Sequence, residues 1–170
     1  RIDDAAFTEA ADILYDEGFG LSMVWSGQSS VETFVDEVLE HIDGVYGVDP
    51  STGKIYIRLI RGGYDLGSLE ELTEDDGKIT QFNRKAVEET TNEIVVTWTN
   101  PDNEGEETVS VHDLANYAAQ QTIISSSRNY YGIRSSSLAI RAALRELNKA
   151  SQPLASFEMQ VSRKAWNYKP

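Results

Sequence analysis

Few residues in this chain could move a proton or hold a ligand, and they are scattered. There are two histidines. His41 falls in the last turn of an apolar-striped segment, where an imidazolium would favour the negative end of a helix dipole. His112 precedes Asp113, a pair that could orient a general base. Successive side chains of a strand point to opposite faces, however, which works against a catalytic pairing there. No serine stands in a Gly-x-Ser-x-Gly elbow. Gly18-Phe19-Gly20 lacks a third glycine and follows a helical pattern, not a strand, so it is no dinucleotide fingerprint. The absence of cysteine removes thiol nucleophiles, disulfides and zinc-finger sets while leaving the redox compartment undetermined.

Carboxylates are so abundant, at 28 Asp and Glu, that some pair falls at glycosidase-like separation by chance, and that signal carries nothing. The acidic loops Glu74-Asp75-Asp76-Gly77 and Asp102-Asn103-Glu104-Gly105-Glu106 invite calcium, yet neither has the spacing of the helix-loop-helix motif. Trp25, Trp98 and Trp166, with Tyr130 and Tyr131, could form a sugar-stacking platform, but aromatics in strands belong more often to a core or an interface. The residues therefore assign no catalytic group, no cofactor and no metal, and the expectation is a protein that is not an enzyme.

The elements that position these residues are clearer than the chemistry. Ile94, Val96 and Trp98 alternate with Val95, Thr97 and Thr99, and Val109 and Val111 repeat the period beyond a Pro/Asp/Asn/Gly turn, which predicts a β-hairpin over 92–112. Asp3 or Asp4 can cap a first helix with Phe7, Ala10, Ala11 and Leu14 inward, stopped by Gly18. Gly20 to Trp25 reads as a strand or buried linker. A capping box at Ser29-Ser30-Val31-Glu32 opens a second helix with Val31, Phe34, Val35, Val38, Leu39 and Ile42 as its apolar stripe, ending at Gly44. A hairpin follows, Val45 to Asp49 and Lys54 to Ile60, turning at Pro50-Ser51-Thr52-Gly53.

The segment from Arg61 to Gly77, with Gly62-Gly63 and Gly67, reads as an exposed acidic loop, and Lys78 to Phe82 as a short strand leading into the Asn92 hairpin. Asp113 can cap a brief helix through Ala119, while Thr122 to Asn129 carries no assignable pattern. Ser135 to Ser137 offer caps for a helix with Ile140, Ala143, Leu144 and Leu147 inward and Arg141, Arg145 and Lys149 along another face. Pro153 closes that helix off. Ala155, Phe157, Met159 and Val161 alternate with polar residues as an amphipathic strand. The fold class is α+β, with antiparallel sheet and three main helices.

A chain of 170 residues can bury roughly 70% of its unfolded surface, so it needs no staples. Residues 1–170 read as one α+β segment, with a sub-boundary conceivable in the loop 61–77. The chain opens at Arg1 and closes at Pro170 just after a strand-like run, which suggests a piece of a larger protein. No apolar run approaches the ~20 residues of a membrane span. The net charge of −13 is divided unevenly: residues 1–107 hold 25 acidic and 7 basic residues, and residues 108–170 hold 3 and 8. Acidity on this scale argues against a nucleic-acid surface. The division itself fits either internal complementarity or an interface, and Arg141, Arg145 and Lys149 are the candidate interface residues.

In order along the chain, Asp16-Glu17-Gly18-Phe19-Gly20-Leu21-Ser22 leading to Trp25, Ile42-Asp43-Gly44 with Val48-Asp49 and Gly53-Lys54, Asn92-Glu93-Ile94-Val95-Val96, Asp113-Leu114-Ala115-Asn116 and Arg163-Lys164-Ala165-Trp166 resemble the tail protein family of long-tailed bacteriophages. That family takes in tail-tip or baseplate hub proteins, including the lambdoid tip-attachment protein and the tail-tip protein of gene transfer agents. The resemblance implies a structural virion protein at the tail tip, from a phage or prophage, trimeric about the tail axis. Its partners would be copies of itself, other tail proteins and, indirectly, a host surface receptor. It carries over no catalytic residue and no cofactor. The alternative is a module that binds or hydrolyses cell-surface glycan.

Overall fold

A computed structural model describes residues 1–28, 30–62, 65–163 and 165 and has an α+β fold, with four α-helices and seven strands among the described residues. It divides into two compact units. The first comprises Arg1–Phe19, Glu32–Phe82 and Phe157–Pro170; the second comprises Gly20–Val31 and Asn83–Ser156. Ser29 of the expected capping box, Gly63 of the glycine pair, and Lys164, Trp166 and the terminal Lys169-Pro170 lie outside the described residues.

In the first unit, helix α1 spans Asp4–Asp16. Asp3 holds the N-cap position in an extended conformation, its carboxylate accepting no hydrogen bond from the first turn. At the other end Gly18 takes φ 61°, the Gly18 N–H donates to Tyr15 O at 2.9 Å and the Phe19 N–H to Leu14 O at 2.8 Å. This pair of bonds satisfies carbonyls that the helix leaves open, and only a residue tolerant of positive φ closes it cheaply. The inward face is Ala6, Ala10, Ile13 and Leu14, whereas Phe7 and Ala11, expected inside, are exposed. Ala6, Ala10 and Ile13 face the strand Ile55–Leu59 across a cleft, and the bulky Phe7 lies on the flank.

Helix α2 spans Val31–Ile42 and buries Leu39, His41 and Ile42, while Phe34, Val35 and Val38 are half-buried and Val31 is exposed. Its six-residue stripe thus sinks only at the C-terminal end. The chain leaves the helix through Asp43, at φ 55°, one residue earlier than the expected Gly44. Gly44 answers a different need: a Cβ there would meet Leu39 Cδ2 at 3.1 Å. Strands β1 (Gly44–Val48) and β2 (Ile55–Leu59) pair antiparallel from Gly44↔Leu59 to Val48↔Ile55. The Asp49 carboxylate organises their turn, accepting from Ser51 N–H at 2.8 Å and Ser51 Oγ at 2.6 Å, and Gly53 completes it at φ 66°. Strand β3 (Gly77–Arg84) does not feed the next hairpin; it pairs with β7 (Ala155–Val161) in a two-stranded ribbon.

In the second unit, β4 (Glu93–Thr99) lies between β5 (Glu106–His112), antiparallel, and β6 (Ser125–Asn129), parallel. The hairpin follows the alternation, with Ile94, Val96 and Trp98 buried. Strand β6, Ser-Ser-Ser-Arg-Asn, has no apolar period; it satisfies the second edge of β4 through backbone groups alone. Helix α3 spans Leu114–Gln120, and α4 spans Ser136–Ala150 and packs on β4 and β5. The inward face of α4 is Leu138, Ala139, Ala142, Ala143 and Leu147. Ile140 and Leu144, expected inside, are 42% and 46% exposed. Three alanines bring the helix close to the sheet, and the larger side chains are carried outward. Gly20 to Trp25 forms no strand: the Ser22 N–H donates to Gly132 O at 2.9 Å, but Val24 and Trp25 stand exposed.

Candidate functional site

His112 and Asp113 part company, as the alternation of a strand requires. The His112 Nδ1 lies 3.6 Å from Glu93 Oε1, its cross-strand neighbour, while Asp113 turns to cap α3, accepting from the Asn116 N–H at 3.0 Å. That backbone hydrogen bond from Asn116, with further help from the Ser151 side chain and the Ala115 N–H, holds the Asp113 carboxyl below its ordinary value against a smaller opposing effect of desolvation. His41 is buried, with Nδ1 2.7 Å from Glu37 O.

Short local hydrogen bonds shape both acidic loops. Asp76 accepts from Thr73 N–H at 3.2 Å and Thr73 Oγ1 at 3.0 Å; Asn100 and Asn103 carboxamides accept from the Asp102 and Gly105 N–H groups at 2.9 and 2.8 Å. Among the described residues no three His, Asp or Glu converge as a ligand set for a metal, and no helix is long and apolar enough to cross a membrane. Trp98 and Tyr130 belong to the core, whereas Trp25 and Tyr131 are exposed. A cleft of about 260 Å³ between α1 and β2 is lined by Ala6, Ala10, Ile13 and Tyr56, with Glu9 and Arg58 at its polar side.

The basic residues of α4 do not form one uniform face. Glu146, from the same helix, gathers the cations around it: Lys149 Nζ lies 3.4 Å and Arg145 Nε 3.9 Å from its Oε1, and Arg128 Nε of β6 lies 3.8 Å from its Oε2. Arg145 is half-buried there. Arg141 stands exposed between Ile140 and Leu144, so the outer face of α4 is mixed, apolar and basic. Sequence reading missed this face because two apolar stripes, one of alanines and one through Ile140 and Leu144, compete on the same helix.

A second exposed apolar surface lies on the β3–β7 ribbon. Ile79 is 52% and Phe157 60% exposed, and Ile79 and Met159 share one groove with Leu72. Phe157 and Val161 each stand two residues from Met159 along β7 and so share its face. The strand period was legible; the absence of cover was not.

Buried polar side chains in the second unit do a third job. The Asn92 carboxamide donates to Thr122 O at 2.8 Å and accepts from the Ile124 N–H at 2.8 Å. The Asn116 Nδ2 donates to Thr90 Oγ1 at 2.7 Å and to Ser151 O at 2.9 Å, and Gln120 Nε2 donates to Asn116 Oδ1 at 2.5 Å. This latch ties the start of β4, α3 and the end of α4 together. Asn92 and Asn116 open and close two of the strings that carry the resemblance, and Gly18, Asp43, Asp49 and Gly53 sit in others. Those strings therefore encode caps, turns and a latch.

Residues 19–170 match the model of the family described as Putative phage tail protein. The match takes in both hairpins, the latch, α4 and the ribbon, and leaves out α1. A search of curated proteins gives no significant match.

Proposed function

This chain belongs to the phage tail protein family, and we propose that it is a structural segment of the tail tip or baseplate hub. A member of this family has its place in the virion tail; the position at the tip, and the contacts with copies of itself and neighbouring tail proteins, are our reading. In this reading the segment assembles the tail and serves host attachment only indirectly. The observation that carries it is the β3–β7 ribbon. A two-stranded ribbon has little stability by itself, and exposed side chains such as Ile79 and Phe157 are costly unless a neighbour covers them. The residue chemistry supports a role without catalysis, since His112 and Asp113 face different partners. Antibody raised against this segment should label virions at the distal end of the tail; label along the tail shaft or on the head would refute the tip position.

One observation favours a glycan-binding module as a second reading. Trp25 and Tyr131 are both exposed and come from segments joined by the Ser22 to Gly132 hydrogen bond. Shifts confined to these two rings on titration with host surface polysaccharide would support it, and an unperturbed spectrum would remove it.

A further inference from the structure

Strand β1, Gly44-Val45-Tyr46-Gly47-Val48, is the only one of the seven described strands without a charged residue, and it stands at an open edge. Its pairing with β2 fixes which backbone groups face outward. The Ile60 N–H donates to Asp43 O at 2.8 Å and the Asp49 N–H to Lys54 O at 2.9 Å, so residues 43, 45, 47 and 49 bond toward β2. Gly44, Tyr46 and Val48 therefore turn their N–H and C=O groups away from it. No other described strand pairs with that edge, whereas the outer edge of β2 receives Arg1 and Asp3 at Ile55. Tyr46 is 44% and Val48 61% exposed, on one face with Ile55 and Ile57. Edge strands are ordinarily guarded by charge, proline or a bulge, and β1 has none of these. We propose that β1 pairs antiparallel with β1 of a second copy of this chain, about a two-fold axis at Tyr46. This rests on the assembly role proposed above and names one of its self-contacts.

The strand is complementary to itself in this register. Tyr46 meets Tyr46 of the second copy, Gly44 meets Val48 and Val45 meets Gly47, so every valine faces a glycine and no two branched side chains collide. All three outward residues then exchange both backbone bonds. A shift of two residues would set Val45 against Val45 or Gly47 against Gly47 and leave an outward residue of each strand unpaired. A Cβ on Gly44 would meet Leu39 Cδ2 at 3.1 Å, and one on Gly47 the Tyr56 ring, so the valines of the second copy arrive against Leu39 and Tyr56. Acidic groups limit the strength of the contact. Asp36 and Glu40 share a groove with Gly44, Val45 and Tyr46, and each chain carries a net charge of −13. Asp43, at φ 55°, and Asp49, bound within its own turn, end the ladder on either side. Five residues and these charges give an expected Kd of about 0.1–1 mM, tighter as salt screens the repulsion. A contact of like with like closes on itself, so its product is a dimer.

Sedimentation equilibrium of the 170-residue chain should show monomer and dimer in exchange, with association tightening from low salt to about 0.5 M. Tyr46→Lys sets like charges opposite each other at the axis and should weaken association at least about fivefold, whereas Ile79→Lys, on the exposed ribbon, should leave it unchanged. The chain has no cysteine of its own, which allows a second measurement independent of the lysine variants. Tyr46→Cys brings one thiol from each chain to the axis, so oxidation should give disulfide-linked dimers at least about fivefold faster than it does for Ile79→Cys. A wild-type chain that stays monomeric up to about 2 mM, a trimer in place of the dimer, association that survives Tyr46→Lys, or equal cross-linking of the two cysteine variants would each overturn the proposal. Labelling of the virion tail is independent of these results, so the edge contact can fail while the tail role stands.

Discussion

Glu17 and Arg61 form a two-pronged ion pair, Arg61 Nε to Glu17 Oε1 at 2.7 Å and Nη2 to Oε2 at 2.9 Å, and the same guanidinium donates from Nη1 to Ile42 O at 3.1 Å. One side chain thereby fastens the end of α1 to the end of α2. The Glu17 hydrogen bond is the main reason the Arg61 pKa is raised above its ordinary value, with desolvation opposing it. Arg61→Lys keeps the charge but loses the planar fork, so it should cost about 1 kcal/mol, and Arg61→Ala, which removes both fork and charge, about 1–3 kcal/mol. Urea unfolding at neutral pH measures both, and equal stabilities for the three proteins would show the pair to be ornamental.

Asp113 gives a pH-dependent prediction. Its folded pKa is lowered below 3.8, so its contribution is present above that value and fades as pH falls through the folded pKa. Asp113→Ala should lose about 1 kcal/mol at pH 7 through the missing cap. The stability gap between wild type and variant should shrink as pH falls below 3.8 toward the folded pKa. A gap that stays constant over that range would mean the carboxylate charge is not what caps α3.

The latch should be sensitive to a single-atom change. Asn92→Asp keeps an acceptor for the Ile124 N–H but replaces the donor to Thr122 O with a buried oxygen of like polarity. The expected loss is about 2–4 kcal/mol, far beyond that of a surface Asn. Thermal unfolding that shifts by less than one or two degrees would remove the latch from the account.

The rotation of α4 can be tested by two substitutions one residue apart. Ala143 is fully buried against the sheet, so Ala143→Leu should overpack it at a cost of about 1–3 kcal/mol. Leu144→Ala, on the outer face, should cost well under about 1 kcal/mol. A loss of about 2 kcal/mol or more for Leu144→Ala would put Leu144 inward, as the sequence reading has it.

What the sequence revealed and what it hid follow the same physics. Both hairpins, the three long helices, the capped turn at Asp113 and the strand at 155–161 carry local signals, namely period, caps and turn residues, and each is where those signals put it. Facing was harder. On α1 and α4 the residues Phe7, Ile140 and Leu144 were read as inward, yet they are exposed while alanines such as Ala10, Ala139 and Ala143 are buried. Strand β6 was invisible, since Ser125 to Asn129 pair through the backbone and side-chain type says nothing of it. The latch was missed for a related reason: Asn92 and Asn116 look like ordinary polar residues until the fold brings Thr122 and Ser151 to them. Arg141, Arg145 and Lys149 share a helix, but Arg145 and Lys149 gather at Glu146 while Arg141 is exposed next to Ile140 in the sequence.

The central claim is that this segment builds the tail through its exposed apolar surface. The most direct measurement is the fraction of particles with complete tails, counted by electron microscopy, from a phage whose copy of this protein carries Phe157→Asp. Phe157 is 60% exposed, so the substitution should leave the melting temperature of the 170-residue chain nearly unchanged while tailed particles fall at least about tenfold. Normal numbers of complete tails, assembled from a stably folded variant protein, would contradict the account.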